Sequence, residues 1–156
     1  MKICLATIGQ FKSQEYERLA ANYVKLAGKF AGVEAELLHL PVPKGVPEHE
    51  TQNEALTRLL EKRGARAFLT LLDERGKSFT SREFAKRVEK IKDGSHSEWI
   101  IAVGGAHGYD DTLKTRAQLL WSLSPLTFPH ELAAAVAAEQ VFRALSILSN
   151  HPYHND

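Results

Sequence analysis

The chain lacks most of the signals that mark a specialised class of protein. It carries one cysteine, Cys4, in 156 residues. No disulfide framework can form within it, a reducing compartment is the default, and Cys4 reads as a small core residue of the first apolar run. An excess of one charge is also missing, with 20 Lys and Arg against 19 Asp and Glu. That balance argues against holding nucleic acid by bulk electrostatics and leaves a partner recognised by shape. No apolar run approaches the roughly 18 residues needed to span a bilayer. The opening stretch from Met1 to Gly9 is too short and too alternating for a secretory leader. The expectation is therefore a soluble, cytoplasmic protein with no membrane partner. Repeats and low-complexity segments are absent, and the length suits one domain spanning residues 1–156. So small a domain leaves little room for separate catalytic and binding modules, and a substrate pocket can draw on a second subunit.

Familiar catalytic signatures are missing too. Gly104, Gly105 and Gly108 match neither the dinucleotide fingerprint nor the phosphate loop that ends in Gly-Lys-Ser/Thr. His130-Glu131 lacks the second histidine of a zinc-protease helix, and Pro152 between His151 and His154 prevents helical ligand spacing, so no metal is expected. Ser122 and Ser124 lie in no nucleophile elbow.

What is present is an alternation of strand-like and helical patterns. Apolar runs at Lys2–Ile8, Glu34–Leu40, Ala67–Leu72, Trp99–Val103 and Leu119–Leu123 have strand length. Between them lie helical patterns at Ser13–Phe30, Thr51–Arg63 and about Ser81–Lys92, and the last pattern, His130–Ser149, follows the fifth run. The reading is an α/β fold with a mainly parallel sheet flanked by helices. The first helix presents Tyr16, Leu19, Ala20, Tyr23, Leu26 and Ala27 as its apolar stripe, with Ser13 as N-cap and Gly28 and Gly32 as its stop. The last helix is apolar all round at Ala133–Ala138, which fits either a subunit interface or a central core helix.

Three strand exits, after residues 72, 103 and 122, would form one pocket with apolar walls and main-chain donors and acceptors. Such a pocket suits an adenosine better than a triphosphate. Asp73, in the charged turn after Leu72, could serve a ligand or cap the turn.

Four segments together carry a resemblance. They are Ser122 to His130 (SLSPLTFPH), Val103-Gly104-Gly105, the turn Leu72-Asp73 to Gly76-Lys77, and the closing Asn150 to His154 (NHPYH). In order and spacing, over essentially the whole chain, they resemble the bacterial 23S rRNA pseudouridine N3-methyltransferases, the small single-domain branch of the SPOUT class. The resemblance implies a C-terminal trefoil knot, a homodimer, and S-adenosyl-L-methionine bound in the knot loops, with no metal. It implies N3 of a pseudouridine in large-subunit rRNA as the methyl acceptor, with the assembled ribosome as substrate. Carried over by position, the cofactor residues are Leu72, Gly104, Leu123, Ser124, Pro125, Leu126, Thr127 and Phe128.

N3 carries a proton that neutral water does not remove, so a base or hydrogen-bond acceptor is required. His154 is the first candidate, since an ordinary histidine is largely neutral at pH 7. Tyr153 is placed to stack on or orient the base, and His130 is the further candidate. The chain departs from the family pattern at Asn155-Asp156, where many relatives carry a basic residue, and His107 is assigned no role. Lys12, Lys44, Arg75, Lys77 and Arg116 are the candidate RNA contacts. Alternatives are a SPOUT methyltransferase for another RNA target, a non-catalytic ribosome or RNA-binding protein, and a nucleotide-dependent oxidoreductase.

Overall fold

A computed structural model describes the chain apart from Ala65, Ala106, Asn155, Asp156 and the side chain of Glu48. The elements are β1 (Lys2–Ile8), α1 (Gln14–Ala27), β2 (Glu34–Leu40), α2 (Glu48–Arg63), β3 (Ala67–Lys77), α3 (Ser81–Asp93), β4 (Glu98–Val103), α4 (Asp111–Arg116), β5 (Leu119–Trp121) and α5 (His130–Leu148). The strands form one five-stranded sheet in the order β2-β1-β4-β3-β5. Every neighbouring pair is parallel, as the alternating patterns predict.

Strand alternation divides the core. Ile3 and Leu5 point into a cluster shared with α1, α3 and α5, while Cys4, Ala6 and Ile8 point into one shared with α2 and α4. Trp99 is fully buried, and its indole N–H donates to Thr70 Oγ1 at 2.9 Å, so its burial leaves no orphaned donor. Burial pushes the Cys4 thiol up to about 12, which makes it the inert core residue expected.

Helix starts follow their caps. Ser13 Oγ accepts from the Tyr16 N–H, and Thr80 and Glu83 form a reciprocal capping box at α3. The apolar stripe of α1 sits rotated from the expected one: Ala20, Val24 and Ala27 are buried, whereas Leu19 is 43% exposed. The reason is the neighbour, because α1 lies against both α5 and β2 and Leu19 falls on the flank away from them. α5 packs against α1 and α3 and touches β1 and β4, so within the subunit it is a central core helix.

Three boundaries differ from the sequence reading. β3 continues through the supposed turn to Lys77, β5 stops at Trp121, and α2 begins at Glu48 rather than Thr51. α4 was not anticipated, since six residues are too few for a periodic signal and only Leu113 is buried; Asp110 caps it by accepting from the Leu113 N–H at 2.9 Å. Among the described residues, no helix is long and apolar enough to cross a membrane.

Candidate functional site

The sheet order seats β3 between β4 and β5, so the carboxyl ends of these three strands adjoin. Leu72 and Lys77 both pair with Trp121, which makes residues 73–76 a bulge within β3 rather than a turn beyond it. Asp73 stabilises the bulge by accepting from the Arg75 N–H at 2.9 Å and pairing with Lys114 at 2.8 Å. Burial would raise its pKa, but Lys114 and the Arg75 N–H outweigh it and hold the carboxyl low. Its role is thus structural, the second of the two readings. Gly76 lies against β5 so closely that a Cβ there would sit 2.6 Å from the Leu120 carbonyl.

The loop after β5 is organised by its own hydroxyls. Ser122 Oγ donates to the Ser124 carbonyl at 3.0 Å, and Ser124 Oγ accepts from the Leu126 N–H at 3.0 Å. Thr127 Oγ1 donates to Glu74 at 3.2 Å, tying the loop tip to the β3 bulge. Leu72 and Leu123 both pack on the α1/α3/α5 core, whereas Leu126 is 70% exposed. Pro125 and Thr127 are exposed and Phe128 is half-buried. Between them the loops offer an apolar surface next to main-chain polar groups.

On the other side of the crevice, the space a Cβ would take at Gly104 is bounded by the Tyr109 ring at 3.1 Å and Gln52 Oε1 at 3.4 Å. Among the described residues of this loop, only Gly108 has a positive φ, 65°, and its N–H donates to the Gly105 carbonyl at 3.0 Å. Gln52, almost fully buried, accepts from the Gly105 N–H at 2.9 Å and donates to the Gly108 carbonyl.

The closing tail lies elsewhere. Tyr153 packs on Phe142 with ring centroids 4.6 Å apart, and its hydroxyl donates to Glu139 at 2.9 Å and meets the Tyr23 hydroxyl at 3.1 Å. Burial, the Tyr23 hydrogen bond and the nearby Glu139 carboxylate all push its phenol pKa up, so Tyr153 is no proton acceptor near neutrality. Arg143 bonds Glu139, lies 4.8 Å over the Tyr153 ring and donates to His154 Nδ1 at 3.2 Å. Glu139 is nine residues along α5 from His130, about 13 Å of helix at ~1.5 Å per residue. The tail and the loop of one chain therefore occupy different levels of α5. Asn155-Asp156 lie outside the described residues.

His130, half-buried, opens α5 at the end of the 122–128 loop. Its neighbour Glu131 is buried and accepts from the Lys12 N–H at 2.6 Å and the Ser13 N–H at 3.1 Å, which fastens the start of α5 to the start of α1. Burial alone would raise its pKa, but these donors, with His130 and Lys12, hold it low. A lowered folded pKa means stability that is present above the ordinary carboxylate range and lost as pH falls through the folded value. Glu131→Gln should cost about 1–3 kcal/mol at pH 7. In urea melts at a series of pH values the gap to the wild type should close in acid; a pH-independent gap would mean that the charge contributes nothing.

Sequence reasoning missed Gln52 and Glu131, which act through partners distant in the chain, and Glu139 and Arg143, which pair with each other one helical turn apart and with the tail that folds back on them. Only the placement of Gln52 and Glu131 on inward helix faces could have signalled them, and that requires knowing the faces. Lys12, Lys44, Arg75 and Lys77 are exposed after or near the carboxyl ends of β1, β2 and β3, on the same edge as the crevice, and Arg116 is exposed at the end of α4.

Comparison with known proteins agrees with this architecture. A family model described as "Predicted SPOUT methyltransferase" matches residues 1–154. Proteins named ribosomal RNA large subunit methyltransferase H are similar over the full length. That of Brucella anthropi is 36% identical, with 99% of each chain covered. Those of Gloeobacter violaceus and Streptococcus suis are also 36% identical with 99% of each chain covered. With nearly the whole chain matched by the family model and by full-length relatives 36% identical, the chain belongs to the SPOUT methyltransferase family.

Proposed function

We propose that this chain, as a single methyltransferase domain, transfers a methyl group from S-adenosyl-L-methionine to N3 of a pseudouridine in large-subunit rRNA, acting in the cytoplasm on the assembled ribosome. The observation that carries the reading is the full-length similarity to relatives named large-subunit rRNA methyltransferases, in a chain whose β3, β4 and β5 lie side by side so that the loops after them share one crevice. The C-terminal trefoil knot that the resemblance implies belongs to the same reading.

The residues fit an adenosine-bearing cofactor. Leu72, Leu123 and the exposed Leu126 supply apolar walls, and the main chain of 123–128 supplies donors and acceptors of the kind an adenine edge needs. When bound, S-adenosyl-L-methionine supplies the methyl on a sulfonium; the protein's task is to align it with N3, and positioning of this sort lowers barriers by several kcal/mol, on the order of 7. Gly104 borders the pocket through its main chain, because Tyr109 and Gln52 already fill its Cβ side.

The proton on N3 must leave as the new bond forms. His154 is the proposed acceptor and Tyr153 the group that orients the base, with His130 as the alternative at the loop. Because the tail sits about 13 Å down α5 from its own loop, we propose a homodimer in which each pocket is completed by the tail of the second copy. The exposed Lys12, Lys44, Arg75, Lys77 and Arg116 would meet rRNA phosphates. No metal has a role in this scheme.

The test is methyl transfer from labelled S-adenosyl-L-methionine to ribosomes lacking the modification, followed by mass mapping of the labelled nucleoside. N3-methylpseudouridine in the large-subunit RNA is the expected product. Label in another nucleoside would move the activity to a different RNA target, and absence of both transfer and cofactor binding would favour a non-catalytic RNA-binding role.

A further inference from the structure

We propose that Gln52 is a positioning residue of the cofactor pocket, its carboxamide clamping both ends of the glycine turn after β4 so that the pocket wall is set before any ligand arrives. The inference rests on the proposed cofactor reading and assigns to α2 a part in it.

The geometry is specific. The turn from Gly105 to Gly108 is closed internally by the Gly108 N–H on the Gly105 carbonyl, which leaves the Gly105 N–H and the Gly108 carbonyl pointing away from it. One side chain satisfies both: Gln52 Oε1 accepts from Gly105 at 2.9 Å and Gln52 Nε2 donates to Gly108. Gln52 is 1% exposed, so removing its carboxamide would leave both main-chain groups without their protein partner. An amide alone among side chains of this length offers one acceptor and one donor at the required separation.

The neighbours on the same helix face repeat the contact. Gln52 and Asn53 follow His49 by three and four residues, the spacing that brings each of them to the side of the helix that carries His49. The His49 ring lies 4.6 Å from that of His107 in the turn, and Asn53 Oδ1 accepts from the Asp110 N–H at 3.0 Å, where α4 is capped. Thus one face of α2 braces the loop from residue 105 to residue 110. Contact with the loop rather than with solvent explains why Gln52, a polar residue of this charged helix, is buried beside the apolar Leu56, Leu59 and Leu60. A turn held at both ends by a rigid helix keeps Gly104 and its main-chain groups at a constant distance from the 122–128 loop across the crevice.

Gln52→Met keeps the length and volume of the side chain but removes both bonds, and Gln52→Glu keeps the acceptor while losing the donor at neutral pH. With wild-type protein binding S-adenosyl-L-methionine, Gln52→Met should raise the Kd by calorimetry, and the KM for it, by about tenfold or more. In the same variant kcat at saturating cofactor should stay within about twofold, the signature of lost uniform binding. Gln52→Glu should be impaired at least as much, because its carboxylate would face the Gly108 carbonyl without a donor, and it carries the same test if the methionine variant does not fold. Wild-type affinity in a folded variant would overturn the proposal, as would a fall confined to kcat. Should the wild-type protein bind no S-adenosyl-L-methionine, the cofactor reading fails by itself. Amide exchange at Gly105 then decides the clamp: faster exchange in the variant supports it and equal exchange overturns it.

Discussion

Gly76→Ala should lower stability by about 3 kcal/mol and the melting temperature by about 10 °C, a large effect for one added methyl group. The atom would arrive 2.6 Å from the carbonyl carbon and oxygen of Leu120 and 2.8 Å from the Trp121 nitrogen. These are backbone atoms of a strand paired to β3 on both sides of the bulge, so no rotamer change relieves the contact. Trp121 cannot retreat either, because its ring stacks on Phe84 at 4.1 Å with 18° between planes. What moves must be the bulge itself. Displacing it would loosen the Ser122 N–H bond to the Lys77 carbonyl and the Thr127 bond to Glu74, and the 122–128 loop depends on both. Weaker cofactor binding should therefore accompany the lost stability. Gly28→Ala is the control, since a Cβ there meets nothing nearer than 3.6 Å and φ is −67°. It should melt within about 2 °C of the wild type, a shift worth well under 1 kcal/mol. An unchanged melting temperature for Gly76→Ala would mean that β3 and β5 do not meet at the bulge.

His154→Ala should reduce methyl transfer by about a hundredfold or more while leaving the affinity for S-adenosyl-L-methionine unchanged. A guanidinium has donors only, so the contact from Arg143 at 3.2 Å makes His154 Nδ1 the acceptor and puts the hydrogen of the neutral ring on Nε2. While that bond holds, the ring presents a donor to a substrate, and taking the N3 proton requires Nδ1 to exchange Arg143 for the base. Arg143 is itself held by Glu139 and by the face of Tyr153. Arg143→Lys keeps the charge but loses the planar fork and the stacking, so it should lower kcat in the same direction with KM for the cofactor unaltered. Single-turnover transfer at saturating cofactor measures both variants. Undiminished turnover in His154→Ala would remove the tail from the mechanism and leave His130 as the acceptor to test.

The glycine loop and the β5 exit are visible in the sequence because their signal is local: small or hydroxyl residues directly after apolar runs, just as Ser13 marks the start of α1. The turn expected at Leu72 was misread for an equally physical reason. A charged, glycine-containing stretch looks the same whether a strand ends there or bulges and resumes, and only the second pairing of Trp121 with Lys77 separates the two. Leu19 shows the same limit for a helix, since an apolar stripe about 100° wide does not say which of its edges meets a neighbour.

The sequence by itself determined the order of the five strands and the four longer helices, the parallel α/β class, the inert core cysteine and the loops that carry the family resemblance, because each rests on residues adjacent in the chain; the short α4 escaped it. Only the tertiary structure decided that β3 lies between β4 and β5, that α5 is a core helix within the subunit, and that the tail rests against α1 and the middle of α5. The same holds for Gln52, whose carboxamide meets Gly105 and Gly108 more than 50 residues away. Such contacts join positions far apart in the chain, and their partners are chosen by packing that no local pattern encodes.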